Sequence, residues 1–381
     1  VDFELTDEQK VWRETVIRFS RKELAYDIAD FEKSGDFPWD AWRKCSDMQL
    51  MALPFPEEYG GCGVDFLTTV LTLNSLGYAC KDAGLVHALA TQILCGLQLY
   101  FFGSEELKAK YLPLLCRGEK VFAQAITEPG SGSDAFSMRA RAEKKGEGYL
   151  LNGNKVFITN GPMADVVIVF AVTDPEKKTL GGISCLVVDD GLAGFDKAKP
   201  LKKMGLNTLQ NGELFFNNCE VSSDRLLGKE GQGAIIFNES MEWERSLLPA
   251  AHLGTLERIF EITLKYAKER NAFGKNIGSY QAVSNKISSM KMNIELGRGI
   301  LYRCAVLKDC NKRASLDASI CKLFISESLK QACLDAVQIH GGYGFMCEYE
   351  IERDLRDSIA STIYSGTSEL QHNIIARFIG L

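Results

Sequence analysis

The chain is short of the residues that build the commonest catalytic motifs. Its 381 residues include only four histidines, His87, His252, His340 and His372, and none stands in an H-x-x-x-H or H-E-x-x-H arrangement. A histidine-based metal site is therefore not expected. There is no G-x-S-x-G elbow and no G-x-x-x-x-G-K-[ST] loop, which argues against nucleophile-elbow hydrolysis and P-loop chemistry. Gly130-Ser131-Gly132-Ser133-Asp134 is glycine-rich but lacks the lysine, and alone it reads as a surface turn. Twelve cysteines occur, without a CxxC pair or zinc spacing. The opening Val1-Asp2-Phe3-Glu4-Leu5 has no basic n-region. Reduced thiols and a cytoplasmic location are expected. A net charge of -6 argues against broad nucleic-acid affinity. The longest uncharged stretch, Ala83 to Ser104, carries His87, Thr91, Gln92 and Gln98. That polar content favours a buried core helix over a membrane span.

What is present is ordinary globular composition, with 46% hydrophobic and 25% charged residues. The length predicts two or three folding units. Three regions differ in pattern. Residues 1–120 read helical: Thr6-Asp7-Glu8-Gln9 is a capping box, with Val11, Thr15 or Val16, and Phe19 recurring behind it. Phe37-Pro38-Trp39 suits a first helical turn, and Glu58 to Gly63 is a break. Residues 121–230 read β-rich. Tyr149 to Ile158, with Asn152-Gly153 between apolar runs, predicts a hairpin. Val166 to Val172, Ile183 to Val188 and Glu213 to Phe216 predict strands of an antiparallel domain. Residues 231–381 return to helices, the first kinked at Pro249, with further segments near 279–308, 315–340 and 353–378 in a four-helix arrangement. The fold class is α+β, in the order α, β, α.

One carboxylate stands out. Phe237, Met241, Leu248, Ala251 and Thr255 share a helical stripe, and Glu244 falls in its gap. Ile236, Trp243, Leu247 and Ala250 form an apolar stripe beside it. A carboxylate placed there is desolvated, which raises its pKa and makes it a stronger base. The competing role is an ion pair with Arg245 or with another helix.

Several motifs then converge, over essentially the full length, on a resemblance to the FAD-dependent acyl-CoA dehydrogenase family. Ala123 to Asp134 resembles its signature before the β-domain, and Phe157-Ile158-Thr159-Asn160-Gly161 its flavin-facing strand. Glu269 to Lys275, with Gln281, and Gln338 to Gly344 resemble its pyrophosphate and adenosine segments. Tyr364-Ser365-Gly366-Thr367 sits where its C-terminal loop sits. The family order is an N-terminal helical domain, a middle β-domain and a C-terminal four-helix bundle. The resemblance implies that FAD is the cofactor. Gln124, Ile126, Thr127, Ser133, Phe157 and Thr159 would meet it at the flavin end. Arg270, Phe273, Gln281, Gln338, Gly342, Thr367 and Glu369 would hold the dinucleotide, partly across a subunit contact in a homotetramer or dimer of dimers. Glu369 replaces a more usual glutamine. His340 is assigned no chemistry.

A departure decides the expected mechanism. Many members carry a glutamate base between the tyrosine and glycine of the C-terminal loop, and this chain has Ser365. A minority places the base on the helix that opens the bundle, where Glu244 matches. The resemblance and the apolar stripe meet at Glu244. Glu244 is then the general base for a thioester α-proton. The thioester carbonyl would bond the flavin ribityl hydroxyl and the Ser365 backbone N–H, so Ser365→Ala is expected to do little. Hydride would pass to flavin N5, and onward to an electron carrier or to oxygen. Ser133, Tyr364 and Arg245 are candidate substrate contacts.

Asn238 to Glu244, Ile363 to Thr367 and Tyr280 to Lys286 resemble the prolyl-carrier-protein dehydrogenases of pyrrole and homoanatoxin-type biosynthesis. Those act on L-proline held by a phosphopantetheinyl carrier protein. Arg245, where some prolyl members have lysine, keeps a short or branched acyl-CoA open as the alternative substrate. A few members of the fold bind DNA or act as scaffolds; the acidic balance and the candidate base argue against both here.

Overall fold

The computed structural model describes residues 4–177 and 179–381, so Val1-Asp2-Phe3 of the leader reading lies outside the described residues. Six helices lead: α1 (Asp7–Glu23), α2 (Ile28–Ser34), α3 (Trp39–Asp47), α4 (Phe66–Ala79), α5 (Ala83–Phe102) and α6 (Glu105–Cys116). The capping box is present, with Gln9 N donating to Thr6 Oγ1 at 3.2 Å and Thr6 N to Gln9 Oε1 at 3.1 Å. Val16 faces the core, but Val11 is 65% exposed and lies off the buried stripe. Helix α5 is long and apolar enough to cross a membrane, yet most of it is buried inside the protein.

The middle region carries strands β1 (Phe122–Ala125), β2 (Arg141–Lys145), β3 (Gly148–Thr159), β4 (Val166–Val172), β5 (Ile183–Asp189), β6 (Phe195–Lys197), β7 (Asn211–Ser222) and β8 (Leu226–Leu227). An irregular turn, α7 (Thr179–Gly182), precedes β5. The sheet order is β6-β7-β3-β2-β4-β5-β8, with β1 on β4. Most pairs are antiparallel. The exceptions are β1 on β4 and the single β2–β4 bridge, which are parallel, so the sheet is mixed. The hairpin expectation at Asn152-Gly153 is corrected. That dipeptide lies within β3, at a register shift against β7. Gly153 takes φ 140, and a Cβ there would stand 2.7 Å from Ala140, so the glycine serves a bulge and a close approach. The chain turns instead at Gly146, φ 56, between Lys145 and Gly148.

The C-terminal region is α8 (Gly233–Glu269), a small hairpin β9 (Asn271–Ala272) and β10 (Lys275–Asn276), then α9 (Gln281–Asp309), α10 (Ser315–His340), α11 (Ile351–Ser361) and α12 (Ser368–Phe378). Helix α8 runs through Pro249 as one element. The expected helix at 353–378 is two helices. Ser365 (φ 57) and Gly366 (φ 89) adopt left-handed backbone between them, which no helix can continue through. Helices α4 and α8 pack closely: a Cβ on Gly77 would meet the Ala251 carbonyl oxygen at 2.0 Å, and one on Gly254 the Asn74 carbonyl oxygen at 2.0 Å. One apolar core joins the two helical regions and one face of the sheet; a second fills the sheet's other face.

Candidate active site

Glu244 sits in the fourth turn of α8, between buried Trp243 and Arg245. Burial pushes its carboxyl pKa up. The Ser365 hydroxyl, Arg245, Lys322 and Gln124 pull it back, without cancelling the rise. The Ser365 Oγ donates to Glu244 Oε1 at 2.6 Å. The Ser365 hydroxyl, given no part in the sequence reading, is thus aimed at Glu244 by the left-handed turn. Arg245, expected to meet substrate, meets the chain itself. Its Nε donates to the Ser365 carbonyl at 3.0 Å. Gln371 Nε2 donates to the Ser365 and Gly366 carbonyls, each at 3.0 Å. Two side chains from separate helices thus fix the loop beside Glu244. Burial lowers the Arg245 pKa to about 10 and that of Lys322, whose Nζ has no partner, to about 8.

Tyr364 is hydrogen-bonded to His252, with Oη 2.6 Å from Nε2. His87 meets the same ring edge-on at 4.8 Å. Gln124, on β1, accepts a bond from Gln98 of α5.

The flavin-end residues are organised by a pair that pattern reasoning did not find. Lys155 is 0% exposed and Glu128 7%, and they form an ion pair at 2.8 Å. Lys155 Nζ also donates to the Ile126 carbonyl at 2.8 Å. Glu128 accepts from Arg139 N at 2.6 Å and Ala140 N at 2.9 Å. Val156 N donates to the Thr127 carbonyl at 2.8 Å. The signature loop is thereby tied to β3, leaving Ile126 buried and Thr127 half-buried. Its only sequence signal is a lysine inside an apolar strand. Phe157 follows at a register shift, with φ 61 and 64% of its surface exposed. Thr159 is half-buried and Ser133 exposed.

The residues expected to hold the dinucleotide lie on other elements. Arg270 and Gly342 line one groove of about 520 Å³, with Tyr343 between them. The Arg270 guanidinium lies 6.0 Å from the Tyr343 ring. Gln338 and Gln281 are exposed, and Phe273, at φ 50, is 96% exposed. Thr367 caps α12, its Oγ1 accepting from Leu370 N at 3.3 Å. Glu369 is exposed, its carboxyl held below the usual range by its own backbone N–H and by Thr367. His340 stacks on Tyr266 at 4.2 Å and bonds the Ala336 carbonyl, a packing role. No cluster of metal-ligating side chains occurs among the described residues.

These residues fit a flavin dinucleotide. An exposed phenylalanine in a strained left-handed conformation costs stability unless something covers it. Phe157 has that form beside two threonines at one site, and Arg270 with two glycines offers an anion cradle at the other. A raised-pKa carboxylate, an exposed aromatic on a strained turn and a cationic groove are together what a flavoprotein oxidoreductase needs.

The chain belongs to the acyl-CoA dehydrogenase family. It matches the family's N-terminal domain over residues 6–119, its middle domain over 123–219 and its C-terminal domain over 231–380. It is 40% identical to an L-prolyl-[peptidyl-carrier protein] dehydrogenase of Pseudomonas fluorescens, over 100% of both chains. The solved prolyl acyl carrier protein oxidase AnaB superposes with TM-score 0.97 at 44% identity, covering 99% of this chain and 100% of the other. PigA, solved with FAD and proline, gives TM-score 0.97 at 38% identity and full coverage of both chains.

Proposed function

We propose that this protein is an FAD-dependent dehydrogenase of L-prolyl thioesters carried on a phosphopantetheinyl carrier protein. The observation that carries it is the Glu244–Ser365 pair. The C-terminal loop supplies a hydroxyl where a base is usual, and α8 supplies the carboxylate. The likeness to AnaB and PigA supports proline as the acyl group. Glu244 takes the α-proton, and its raised pKa favours that transfer near neutral pH. Arg245 and Gln371 hold the loop so that the Ser365 backbone N–H can meet the thioester carbonyl. Ile126, Thr127, Phe157 and Thr159 would hold the flavin ring, and Arg270, Phe273, Gln281, Gln338 and Gly342 the dinucleotide. When bound, FAD accepts the hydride that leaves the neighbouring carbon. The exposed Phe273, Tyr343 and Phe345 around the groove support a second copy of the chain covering it, as in a dimer of dimers. All twelve cysteines are unpaired, in keeping with a cytoplasmic location.

The test is anaerobic bleaching of the flavin band by L-prolyl carrier protein, compared with isovaleryl- and butyryl-CoA. Rapid bleaching by the prolyl carrier alone is expected. Bleaching by an acyl-CoA alone would assign the protein to short or branched acyl-CoA oxidation instead.

A further inference from the structure

Two glutamines of α5 are wholly buried, and both reach the segment that opens the sheet, but their amides are used differently. Gln92 engages backbone at both ends: Oε1 accepts from Phe122 N at 2.9 Å, and Nε2 donates to the Lys120 carbonyl at 2.7 Å. It anchors β1 to the helix. Gln98 instead donates from Nε2 to a side chain, at Gln124 Oε1, and its own Oε1 is buried without a partner. An orphaned buried carbonyl is unfavourable, so fold stability alone does not account for Gln98. The Gln124 amide also meets Glu244 and favours its charge. A carboxamide has a donor end and an acceptor end, and a 180° turn exchanges them. An ionised carboxylate only accepts, so the NH2 end stabilises it and the oxygen end repels it. With Oε1 held by Gln98, the NH2 end is the one left for Glu244. The donors then run one way, from Gln98 to Gln124 to Glu244.

We infer that Gln98 is a positioning residue for the base: it fixes the sense of the Gln124 amide, so that a donor and not an acceptor faces Glu244. This rests on Glu244 being the base, as proposed above, and adds two residues that act through it. The other groups facing Glu244 are Arg245 on the same helix, Lys322 of α10, Cys95 of α5, and Tyr364 and Ser365 of the loop before α12. All of these stay in place in the variants below, so a change in the behaviour of Glu244 reports the two amides.

The test is a double-mutant cycle on the FAD-loaded enzyme: Gln98→Met, Gln124→Met and both together. It is read as the acid limb of anaerobic flavin reduction by L-prolyl carrier protein, or by isovaleryl-CoA if that is the thioester that bleaches the flavin. The Glu244 carboxyl is titrated alongside, without substrate, by infrared difference against Glu244→Gln. Losing a donor disfavours the ionised carboxylate, so each single variant should move the limb and the titration to higher pH, by about 0.5–1 unit. With Gln124 already replaced, Gln98→Met should move neither any further. A shift of equal size in both backgrounds, or none in either, would overturn the inference. A neutron structure of the wild type needs no variant to fold. Deuterium is expected on the Gln124 atom that faces Glu244, and an oxygen there overturns the inference. If Glu244→Gln reduces flavin at the wild-type rate, the base assignment fails and the inference fails with it. An additive cycle with Glu244→Gln inactive overturns the inference alone.

Discussion

At the scale of single residues, the proposed chemistry rests on a carboxylate whose surroundings disfavour its charge. Glu244→Gln should retain FAD and bind thioester but slow flavin reduction by about 10²–10⁴-fold, measured by stopped-flow bleaching. Ser365→Ala gives a subtler result. The lost hydroxyl stabilised the ionised Glu244, so its pKa should rise further. The base is active only when deprotonated, so the acid limb of the kcat/KM profile should move to higher pH. An unmoved limb would mean the Glu244–Ser365 bond has no catalytic weight. The desolvation of Glu244 was legible in the sequence because an acidic residue interrupts an apolar helical stripe. The Ser365 hydroxyl was not. It lies 121 residues from its partner, and only a left-handed turn aims it there. The His252–Tyr364 bond was hidden for a related reason, because the two residues are 112 apart in the chain.

At the scale of elements, two contacts fix the site's frame. The Lys155–Glu128 pair joins β3 to the signature loop with almost no exposure to water. Removing one partner leaves a buried charge uncompensated, so Lys155→Met should cost about 3–5 kcal/mol in thermal or urea unfolding. Replacing both, as Lys155→Met with Glu128→Gln, which keeps an acceptor for the Arg139 and Ala140 N–H groups, should recover part of that loss. Gly77 sets how near α4 lies to α8, and Gly77→Val should cost about 1–3 kcal/mol by overpacking. The helices were legible from their period and caps. The β-domain was legible as a class but not in its connections. Asn152-Gly153 has the chemistry of a tight turn, yet here the glycine only relieves a clash with Ala140 inside a continuous strand. The parallel β1–β4 pairing joins segments about forty residues apart, which no local pattern reveals.

At the scale of the whole molecule, one protomer presents an exposed ledge at Phe157 and a separate exposed rim at Phe273. Phe273→Asp alters a side chain that is 96% exposed and should leave the protomer folded. It should nonetheless give a smaller species by light scattering and weaken flavin retention if a second copy covers that rim. Adding FAD at 100 times its Kd should stabilise the apo-protein by about 2.7 kcal/mol, seen as a higher Tm. The base and the groove are also parts of one object. Glu244 lies in the fourth turn of α8 and Arg270 caps its C-terminus, about 39 Å along the axis at 1.5 Å per residue. That helix works as an axle with a fixed phase. One residue inserted between them would turn Arg270 by about 100° relative to Glu244 and advance it by about 1.5 Å. Both fittings would survive chemically, yet they would no longer point where each is needed. A change of length here therefore disturbs both fittings at once, which a single change of side chain does not.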